Sequence, residues 1–587
     1  MKIKKAFCLS LTFLALVSCQ GNTTSSNTSS NSNSTVSTTT ENVTVSTKNS
    51  KFYMGDLTQY FDITTYFFSD ASSIPYVGIE DYFINGMNKF IDPSKSDMGY
   101  TLQGTSIINK HTNETLDFDV ENNTISSNDF DQFSSASSNL KDPINILTMD
   151  IEPIGKYSDK TTYTKGNKVT FNLSKYGVKL KNYQGKIYVP FSFIETIIDG
   201  SSPMRFVFNG EDYYLYQGVD RLKNDLGSYT DYATSLLNGS VFKKNGVTKE
   251  YATYMYNSFL FTMENFNGHF SRLNISSLDS KLEQDGLKEK ICSTDPEIAD
   301  AAIAEAVNKY FGDGGHTAFV SRGFGCEYNA DKDSELRSGM LDYDDRIRES
   351  NENNKALIAL RGKETLTNNL VMEGETAIIS FDSFTAISDT DYTKEKALKD
   401  KTSTFGIIYN SFETIKTNSS IKNVVFDVTL NGGGAAQALG EALSFMTDDP
   451  VEINVKNYIS GGKTTAAIKY DNNLDGDYDD NDSYAGKYTF YIMTSLSSFS
   501  CGNEFPVIAQ EYGYAKVIGQ KSGGGDCTTV TYITPDATTW AMSSYYGFVS
   551  KNKDIDFDAG ATPDYTLDNS YFYDAKKLNS YLSSLTK

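Results

Sequence analysis

The sequence is poor in histidine, carries no Lys/Arg-rich run after its first five residues, and has no long apolar stretch beyond its N-terminal region. Acidic residues outnumber lysine and arginine by 75 to 53, which gives a formal net charge of −22. The lack of a basic patch argues against nucleic acid or anionic lipid as partners. No later segment approaches about 18 consecutive apolar residues, so we expect no further membrane crossing. Only three histidines are present, which leaves few candidates for a catalytic base.

Cysteine is also scarce, and its spacing excludes a common metal motif. Of six cysteines, four lie beyond the N-terminal region and none forms a C-x-x-C pair, so a zinc site is not expected. A chain of 587 residues can bury full cores in two or three domains and does not need disulfides for stability. Outside the cytoplasm Cys501 and Cys527 could pair or remain free thiols, and the sequence leaves both open. The other two are Cys292 and Cys326.

Residues 1–19 have the layout of a processing signal, with lysines at positions 2, 4 and 5 before a short apolar stretch. The stretch is too short to span a bilayer. The segment Leu16-Val17-Ser18-Cys19 resembles the lipobox of bacterial lipoproteins, and this resemblance implies acylation of Cys19 and anchoring to the bacterial cell envelope. An ordinary secretory signal is the alternative, and both predict an extracytoplasmic protein. Residues 20–50 are almost entirely Ser, Thr and Asn, which predicts a flexible linker.

Residues 51–225 are rich in Tyr, Phe, Ile and Thr in short runs broken by Gly, Asn and Asp. This composition predicts strands and hairpins, with Asn209-Gly210 as a tight turn. The region contains no cluster of chemically active residues. We therefore expect a separate β-rich N-terminal domain that serves as a spacer or binding module.

Residues 240–318 favour helices and form a predicted helical cap. The clearest helix begins at Asp295-Pro296, a capping residue followed by proline at the first helical position. Its predicted apolar stripe consists of Ile298, Ile303, Val307 and Phe311. The turn that follows contains His316. Residues 319–370 are highly charged and predict an insertion without visible chemistry.

From residue 371 to 587, strands and helices alternate. Strands are predicted at 376–381, 424–428, 488–493 and 515–518, and helices at 397–415, at 435–446 and from 501 onward. The 397–415 helix is expected to bury one face that includes Leu398 and Phe405. This order predicts an α/β (α+β) catalytic core with a largely parallel sheet. Ligands in such sheets gather at the carboxyl ends of the strands.

Two segments with chemical potential follow predicted strand ends. Ser500 lies on a strand-to-helix turn, where a hydroxyl is exposed beside helix N–H groups. The loop Asn431-Gly-Gly-Gly434 follows a buried strand, and Gly432 and Gly433 allow a close backbone approach. Their N–H groups, with that of Cys501, are candidate donors to an oxyanion. Together with His316 these residues indicate an acyl-transfer enzyme.

Four segments in order resemble the tail-specific, or C-terminal processing, serine peptidase family. They look like its D-x-H-T turn, its D-x-R-x-N-x-G-G loop, its nucleophile helix and its G-x-x-P-D closing motif, and they cover about residues 240–587. Three positions depart from the pattern: Thr429 replaces an arginine, Asn503 replaces a glutamate, and Gly525 replaces the lysine of the Ser-Lys branch. The absent lysine implies the tricorn-core-like branch, in which histidine is the base. The four segments are 313–317, 427–434, 499–525 and 560–564.

The chemistry of serine agrees with that assignment. A serine hydroxyl needs a base to accept its proton, and neutral imidazole suits this role near pH 7. His316 is the candidate, with His269 as rival. The histidine needs a carboxylate to fix its tautomer. The resemblance implies one shortly before the closing motif, where Asp558 is favoured over Asp556, and Asp554 also lies there.

One acidic loop suggests a metal. Its oxygen-bearing side chains are spaced like the first half of a calcium loop, with glycine at the sixth position. Aspartate stands where an EF-hand has glutamate, so an acidic hairpin tip without metal is the alternative. The candidate calcium ligands are Asp471, Asn473, Asp475, Asp477 and Asp482.

The sequence thus predicts a lipid-anchored, extracytoplasmic serine endopeptidase acting on polypeptides, with no cofactor required for catalysis. Its expected contact with the membrane is the N-terminal lipid anchor. Two other hypotheses remain open at this point. One is a catalytically inactive relative that binds peptides in the same cleft, and the other is a calcium-dependent structural surface lipoprotein.

Overall fold

A computed structural model describes residues 43–90, 99–134, 151, 153–200, 205–216, 226–242, 247–551 and 555–585. The predicted signal, the predicted acylation site Cys19 and residues 20–42 of the predicted linker lie outside the described residues. Residues 45–50 of that predicted linker belong to the strand Val45–Tyr53, so the linker prediction is wrong there. No helix in these ranges is both long enough and apolar enough to span a bilayer.

The N-terminal part is built from short strands, as its composition predicts. Its strands are β1 (Val45–Tyr53), β2 (Tyr60–Phe68), β3 (Ala71–Gly78), β4 (Tyr100–Gln103), β5 (Ser106–Asn109), β6 (Thr115–Asp119), β7 (Thr124–Ser127), β8 (Gly155–Tyr157), β9 (Thr162–Thr164), β10 (Val169–Asn172), β11 (Lys181–Tyr183), β12 (Lys186–Pro190), β13 (Arg205–Phe208) and β14 (Tyr213–Tyr216). Its helices are α1 (Asn88–Phe90), α2 (Phe130–Ser134), α3 (Phe191–Asp199) and α4 (Leu226–Leu237).

Twelve of these strands form two sheets. A seven-stranded sheet has the order β11-β12-β3-β2-β1-β14-β13, and a five-stranded sheet has the order β10-β7-β6-β5-β4. Neighbours are antiparallel except β1 and β14, where Phe52 pairs with Tyr213 in parallel. The hairpin between β13 and β14 contains the predicted Asn209-Gly210 turn, but its connection is four residues long, with Asn209 N–H donating to Asp212 O (3.0 Å).

Residues 240–318, the predicted helical cap, consist mainly of helices, and the charged insertion follows them. The elements are α5 (Lys249–Phe266), α6 (Leu278–Gln284), α7 (Leu287–Ile291), α8 (Pro296–Tyr310), β15 (Ala318–Ser321), α9 (Ala330–Ser338) and α10 (Asp345–Arg361). Helix α8 begins at the predicted residue, and the Asp295 side chain caps it by accepting from Glu297 N–H (3.0 Å). The predicted stripe is wrong at Ile298, which is 48% exposed. Small alanines share the buried face instead, and they let α8 pack closely.

The core, residues 371–587, contains the remaining elements. They are β16 (Leu370–Glu373), β17 (Thr376–Ser380), α11 (Lys394–Lys399), α12 (Thr404–Ile415), β18 (Asn423–Asp427), α13 (Ala436–Ser444), β19 (Val451–Asn457), β20 (Lys463–Tyr470), β21 (Thr489–Thr494), α14 (Cys501–Tyr512), β22 (Lys516–Gly519), β23 (Cys527–Ile533), β24 (Thr539–Phe548), β25 (Tyr565–Thr566) and α15 (Ala575–Leu585).

The core sheet has the order β16-β17-β18-β21-β22-β25. Only the β16–β17 pair is antiparallel, and the others are parallel. The predicted fold class, an α/β core with a largely parallel sheet and a β-rich N-terminal region, is confirmed. The predicted 397–415 helix is two helices, α11 and α12. Its expected apolar face therefore breaks at Leu398, which is 45% exposed, while Phe405 is buried.

A further sheet contains strands from both the N-terminal region and the core, and so joins the two. Its order is β15-β24-β19-β20-β8, with β23 paired to β24 and β9 paired to β20. Strands β8 and β9 come from the N-terminal region, so that region contributes directly to a core sheet. The hydrophobic core is also continuous across the junction, where the rings of Phe130 and Tyr545 lie 6.4 Å apart.

A buried carboxyl group lies at the same junction. Asp131 on α2 accepts a hydrogen bond from Ser460 Oγ in the loop after β19 (2.6 Å) and is 2% exposed. Burial, opposed by hydrogen bonds from Ser460 and Tyr546, raises the pKa of Asp131 to about 7. The group is therefore protonated in the folded protein under mildly acidic conditions.

This gives a prediction for stability against pH. An aspartate in the unfolded chain has a pKa of about 3.9. Between about pH 4 and 7, Asp131 therefore carries a proton in the folded state that it has released in the unfolded state. The folded pKa is raised, so this stabilisation is complete at low pH and is lost as pH rises through that window. Asp131→Asn keeps a neutral group of the same shape and should flatten the fall in Tm between pH 4 and 8. The exposed Asp159→Asn is the control, and equal slopes in Asp131→Asn and wild type would contradict the prediction.

Candidate active site

Ser500 sits at the turn between β21 and α14, with φ 54° and ψ −129°. A non-glycine residue with this backbone is strained, and such strain is typical of turns that present a nucleophile. The turn is fixed by neighbouring serines. Ser498 Oγ donates to Val428 O (2.7 Å), and Ser495 Oγ donates to Thr429 O (2.6 Å). Ser498 is fully buried by these contacts, whereas Ser500 is only half-buried.

The backbone of Ser500 is held on both sides. Its N–H donates to Gly524 O (2.8 Å), and its carbonyl accepts from Asn503 N–H (2.7 Å) and Glu504 N–H (2.8 Å). Cys501 is the first residue of α14, and an N–H at this position has no partner within the helix. The N–H of Cys501 therefore lies beside the Ser500 hydroxyl as a donor for an anion.

The glycine loop after β18 is packed against the same turn. A Cβ added to Gly433 would lie 2.7 Å from Ser500 Cβ and 3.1 Å from Ser500 Oγ, and the φ of Gly433 is +106°. Only glycine fits this close approach. The N–H of Gly433, however, donates to Asn431 Oδ1 (2.9 Å), so it is engaged within the loop and differs from the free donor expected. Gly432 has open space around its Cα.

His316 reaches the turn from the opposite side. Its ring packs edge-on against Phe499, the residue before Ser500, with centroids 4.7 Å apart. A Cβ on Gly525 would lie 3.2 Å from His316 Cε1 and 2.7 Å from Phe499 Cζ. Position 525 therefore has no room for a lysine beside this histidine. Within the described residues, no hydrogen bond joins His316 to Ser500.

The turn that carries His316 is itself organised by Asp313. Its carboxylate accepts from Thr317 N–H (2.7 Å), Thr317 Oγ1 (2.6 Å) and Ser543 Oγ (2.7 Å). His316 is 8% exposed. Burial lowers the pKa of His316 below its usual 6.5, while the charge of Asp313 opposes this. The imidazole is consequently neutral at pH 7.

The two described carboxylates proposed to support the histidine occupy different surroundings. Both belong to the short turn at Phe557–Ala559, where Asp556 is the capping residue and is 60% exposed at its side chain. Asp558 is 14% exposed and accepts from Gly525 N–H (3.1 Å), which places it next to the residue that touches His316. Its carboxylate is also paired with Arg346 and Arg272. Asp554 lies outside the described residues.

The rival base, His269, is committed elsewhere. Its Nε2 lies 2.7 Å from Asp526 Oδ1, and Asp526 Oδ2 accepts from Arg272 Nη2 (3.0 Å). Burial lowers the pKa of His269, but the hydrogen bond and charge of Asp526 outweigh it, and the net shift is upward. Cys527 Sγ lies 3.4 Å from the same nitrogen. His269, Asp526 and Cys527 have potential metal-ligand atoms that all lie within 4.8 Å of one another. No other group of three or more His, Cys, Asp or Glu residues in the described part of the chain does so.

The cysteines near the site are free thiols. Cys501 Sγ donates to Gly434 O (3.2 Å), and Cys527 contacts His269, so the two do not form the disulfide that the sequence left open. Burial raises the pKa of both thiols well above the usual range. Neither is therefore an available nucleophile at neutral pH.

The charged insertion holds two site residues that no sequence pattern indicated. Asp344 caps α10 and also accepts from Gly314 N–H in the His316 turn (2.9 Å). Arg346 donates to Asp558 and to Gly523 O (3.0 Å). The insertion thus connects the histidine turn to the loop after β22. Nothing in its sequence signals this, because the contacts span 30 to 212 positions.

The acidic loop is held together by its own backbone. Asp471 accepts from the N–H groups of Asp475 (3.1 Å) and Gly476 (2.9 Å), and Asp482 accepts from those of Asn473 (3.2 Å) and Asp479 (2.9 Å). The expected ligands Asp475 and Asp477 are exposed. Calcium binding here stays a prediction.

Comparison with known proteins finds one matching family model, which covers part of the core. Residues 376–567 match the family model of peptidase family S41. No curated protein matches the chain.

Several solved structures show weak similarity. A presumed peptidase from Parabacteroides merdae ATCC 43184 shares 13% identity over 57% of this chain and 97% of its own, with a TM-score of 0.38. A lipoprotein from Streptococcus agalactiae shares 14% identity over 57% and 96%, with a TM-score of 0.35. The photosystem II D1 C-terminal processing protease shares 12% identity over 37% and 56%, with a TM-score of 0.26. At this level of overlap none of them identifies an activity.

The strained backbone at Ser500 yields a prediction. Ser500→Gly should unfold at a higher temperature than Ser500→Ala, because glycine relieves a strain of about 1–3 kcal/mol that alanine retains. At Ser497, which has no positive φ, the order should be reversed because glycine adds freedom to the unfolded chain. Thermal unfolding of the four variants measures this, and a less stable glycine variant at both positions would show that the turn is unstrained.

Proposed function

Since residues 376–567 belong to peptidase family S41, we propose that this protein is an extracytoplasmic serine endopeptidase. In this proposal Ser500 attacks the scissile carbonyl and His316 acts as general base. The observation that carries it is the strained turn at Ser500, with Gly433 packed against one side and His316 reaching the other across Phe499.

The reaction follows from these groups. Ser500 Oγ bonds to the carbonyl carbon while its proton passes to His316, and the resulting tetrahedral intermediate carries an oxyanion. Protonated His316 then gives the proton to the leaving amine, and the peptide C–N bond breaks. Water attacks the acyl-enzyme by the same route, which releases the acid product and restores both side chains.

Two features favour His316 as the base. Burial lowers its pKa, so the ring is unprotonated and able to accept a proton at pH 7. Position 525, where the Ser-Lys branch has its lysine, is a glycine, and a Cβ there would lie 3.2 Å from His316 Cε1. Lys521, the nearest lysine in sequence, is exposed.

The oxyanion needs donors aimed at the developing charge. Cys501 N–H at the start of α14 and Gly432 N–H on the glycine loop are our proposed donors, each worth about a hundred- to thousandfold in rate. Gly433 N–H joins them only if its bond to Asn431 opens. The positive end of the α14 dipole adds to the stabilisation.

The substrate class and location follow from the same proposal. The substrate is a polypeptide, and the N-terminal signal directs the enzyme out of the cytoplasm, where acylated Cys19 tethers it to the envelope. Asp558 is our choice for the carboxylate that supports His316, because Gly525 bridges the two. A structural calcium at the 471–482 loop is a separate proposal that catalysis does not need.

A catalytically inactive relative that binds peptides is the second candidate. The observation in its favour is that His316 and Ser500 are not hydrogen-bonded to each other within the described residues. Covalent labelling separates the two candidates, because it requires an activated serine, and it also separates the enzyme from a purely structural lipoprotein.

We predict that Ser500→Ala abolishes proteolysis of an unfolded protein and labelling by a fluorophosphonate. His316→Ala should lower kcat/KM by about a hundred- to ten-thousandfold, the usual worth of a general base. Lys521→Ala is the matched control and should retain full activity. Loss of activity in Lys521→Ala with retention in His316→Ala would restore a Ser-Lys mechanism, and no labelling of wild type would favour the binding protein.

The pH profile provides another prediction. The base must be neutral, so kcat/KM should rise with pH as His316 loses its proton. Because burial lowers its pKa, the half-maximum should fall below about pH 6.5, the value for a free histidine. Initial rates from pH 4.5 to 9 at constant ionic strength measure it. A half-maximum above pH 8 would be incompatible with this base.

A further inference from the structure

Four donor nitrogens surround the carboxylate of Asp558. Arg346 Nη1 donates to Oδ2 (3.1 Å) and Arg346 Nη2 donates to Oδ1 (3.2 Å). Gly525 N–H also donates to Oδ1 (3.1 Å), and Arg272 Nη1 lies 3.4 Å from Oδ2. A carboxylate offers about four lone-pair sites, so a fifth donor must displace one of these.

His316 is the group that lacks a partner. Its Nδ1 is buried and has no hydrogen bond in the described part of the chain. Buried polar nitrogens are nearly always paired, so this one requires an explanation. A histidine base in particular works best when Nδ1–H donates to a carboxylate.

The charged groups that face His316 come from four segments. They are Asp313 on its own turn, His269 in the cap, Asp526 at the start of β23, and Asp558. Asp313 is held by Thr317 and Ser543, which are buried, and Asp526 is held by His269, Arg272 and Tyr458.

Among its side-chain donors in the described residues, Asp558 has arginines only, and one of them, Arg346, binds both of its oxygens. The side chain of Arg346 is 39% exposed. Arg346 extends from the start of α10 and covers Gly314 in the histidine turn, where a Cβ would lie 3.1 Å from the guanidinium carbon. It therefore stands between the turn that carries His316 and the carboxylate.

We infer that Arg346 is a positioning residue that withholds Asp558 from His316. While the ion pair lasts, His316 is an unsupported base. When it opens, an oxygen of Asp558 becomes free to accept Nδ1–H, and no covalent bond changes in this step. The inference rests on the proposed function, since it takes His316 as the base, but the ion pair and its effect on the imidazole can be measured without turnover.

The test follows the protonation of His316 by NMR in the full-length chain labelled with 13C at histidine Cε1. A Ser500→Ala background prevents self-cleavage, and with three histidines the signal is identified by its loss in His316→Gln. Arg346→Gln should raise the titration midpoint of His316 by about one pH unit, as expected for an imidazole that gains a carboxylate partner. Arg348→Gln, on the same helix and paired with Asp345, should leave it unchanged.

A double-mutant cycle separates release of Asp558 from simple loss of a positive charge. In an Asp558→Asn background, Arg346→Gln should move the midpoint by less than half as much. An equal shift in both backgrounds, or none in either, would overturn the inference. Arg346→Lys keeps the charge without the bidentate geometry and should give an intermediate shift, so it replaces Arg346→Gln if that variant does not fold.

Activity provides the second readout. In the chain that retains Ser500, Arg346→Gln should shift the acidic limb of the kcat/KM profile to higher pH. The shift should equal that of the NMR midpoint. A lower kcat/KM with an unmoved limb would mean that Arg346 is merely structural and would overturn the inference. If wild type is inactive, the proposed function fails, whereas the NMR cycle still decides the role of the ion pair.

Discussion

One backbone constraint underlies the site: the chain at Ser500 turns with a positive φ, and its neighbours must hold it there. Gly524 O accepts its N–H on one side, and Gly433 lies against it on the other, close enough to exclude any side chain. These segments follow β22 and β18, while Ser500 follows β21. Because the three strands are parallel neighbours, their carboxyl ends meet at one edge of the sheet. The strain is tolerated because this packing over-determines the turn.

The second constraint is charge. His316, Asp313 and Asp526 are almost fully buried, and an uncompensated carboxylate in such surroundings is strongly unfavourable. Hydrogen bonds to Asp313 and Asp526 provide the compensation, and their donors are Thr317, Ser543, His269, Arg272 and Tyr458. The low-dielectric surroundings that keep the imidazole neutral also strengthen each of these hydrogen bonds electrostatically. The charge state of the site therefore depends on which donors each buried carboxylate accepts from.

The parts that meet at the site come from distant segments with different packing. The core sheet supplies the turn at Ser500 and the glycine loop. The cap supplies His316 and Arg272, and the charged insertion supplies Asp344 and Arg346. Strands β8 and β9 likewise tie the N-terminal region into a core sheet, so the spacer-like region is packed against the core.

The sequence alone determined the parallel core, the start of α8 and the strand-to-helix position of Ser500, because local capping, periodicity and turn residues encode these features. It failed at Ile298 and Leu398, where periodicity predicted burial but the partners of the helix decide which face is covered. It could not reveal that Asp526 pairs with His269 across 257 positions, that Arg346 holds Asp558, or that Gly433 N–H is engaged by Asn431. Only the tertiary structure decided these contacts. Charged side chains that are far apart in sequence carry no local signal of how they will pair after burial.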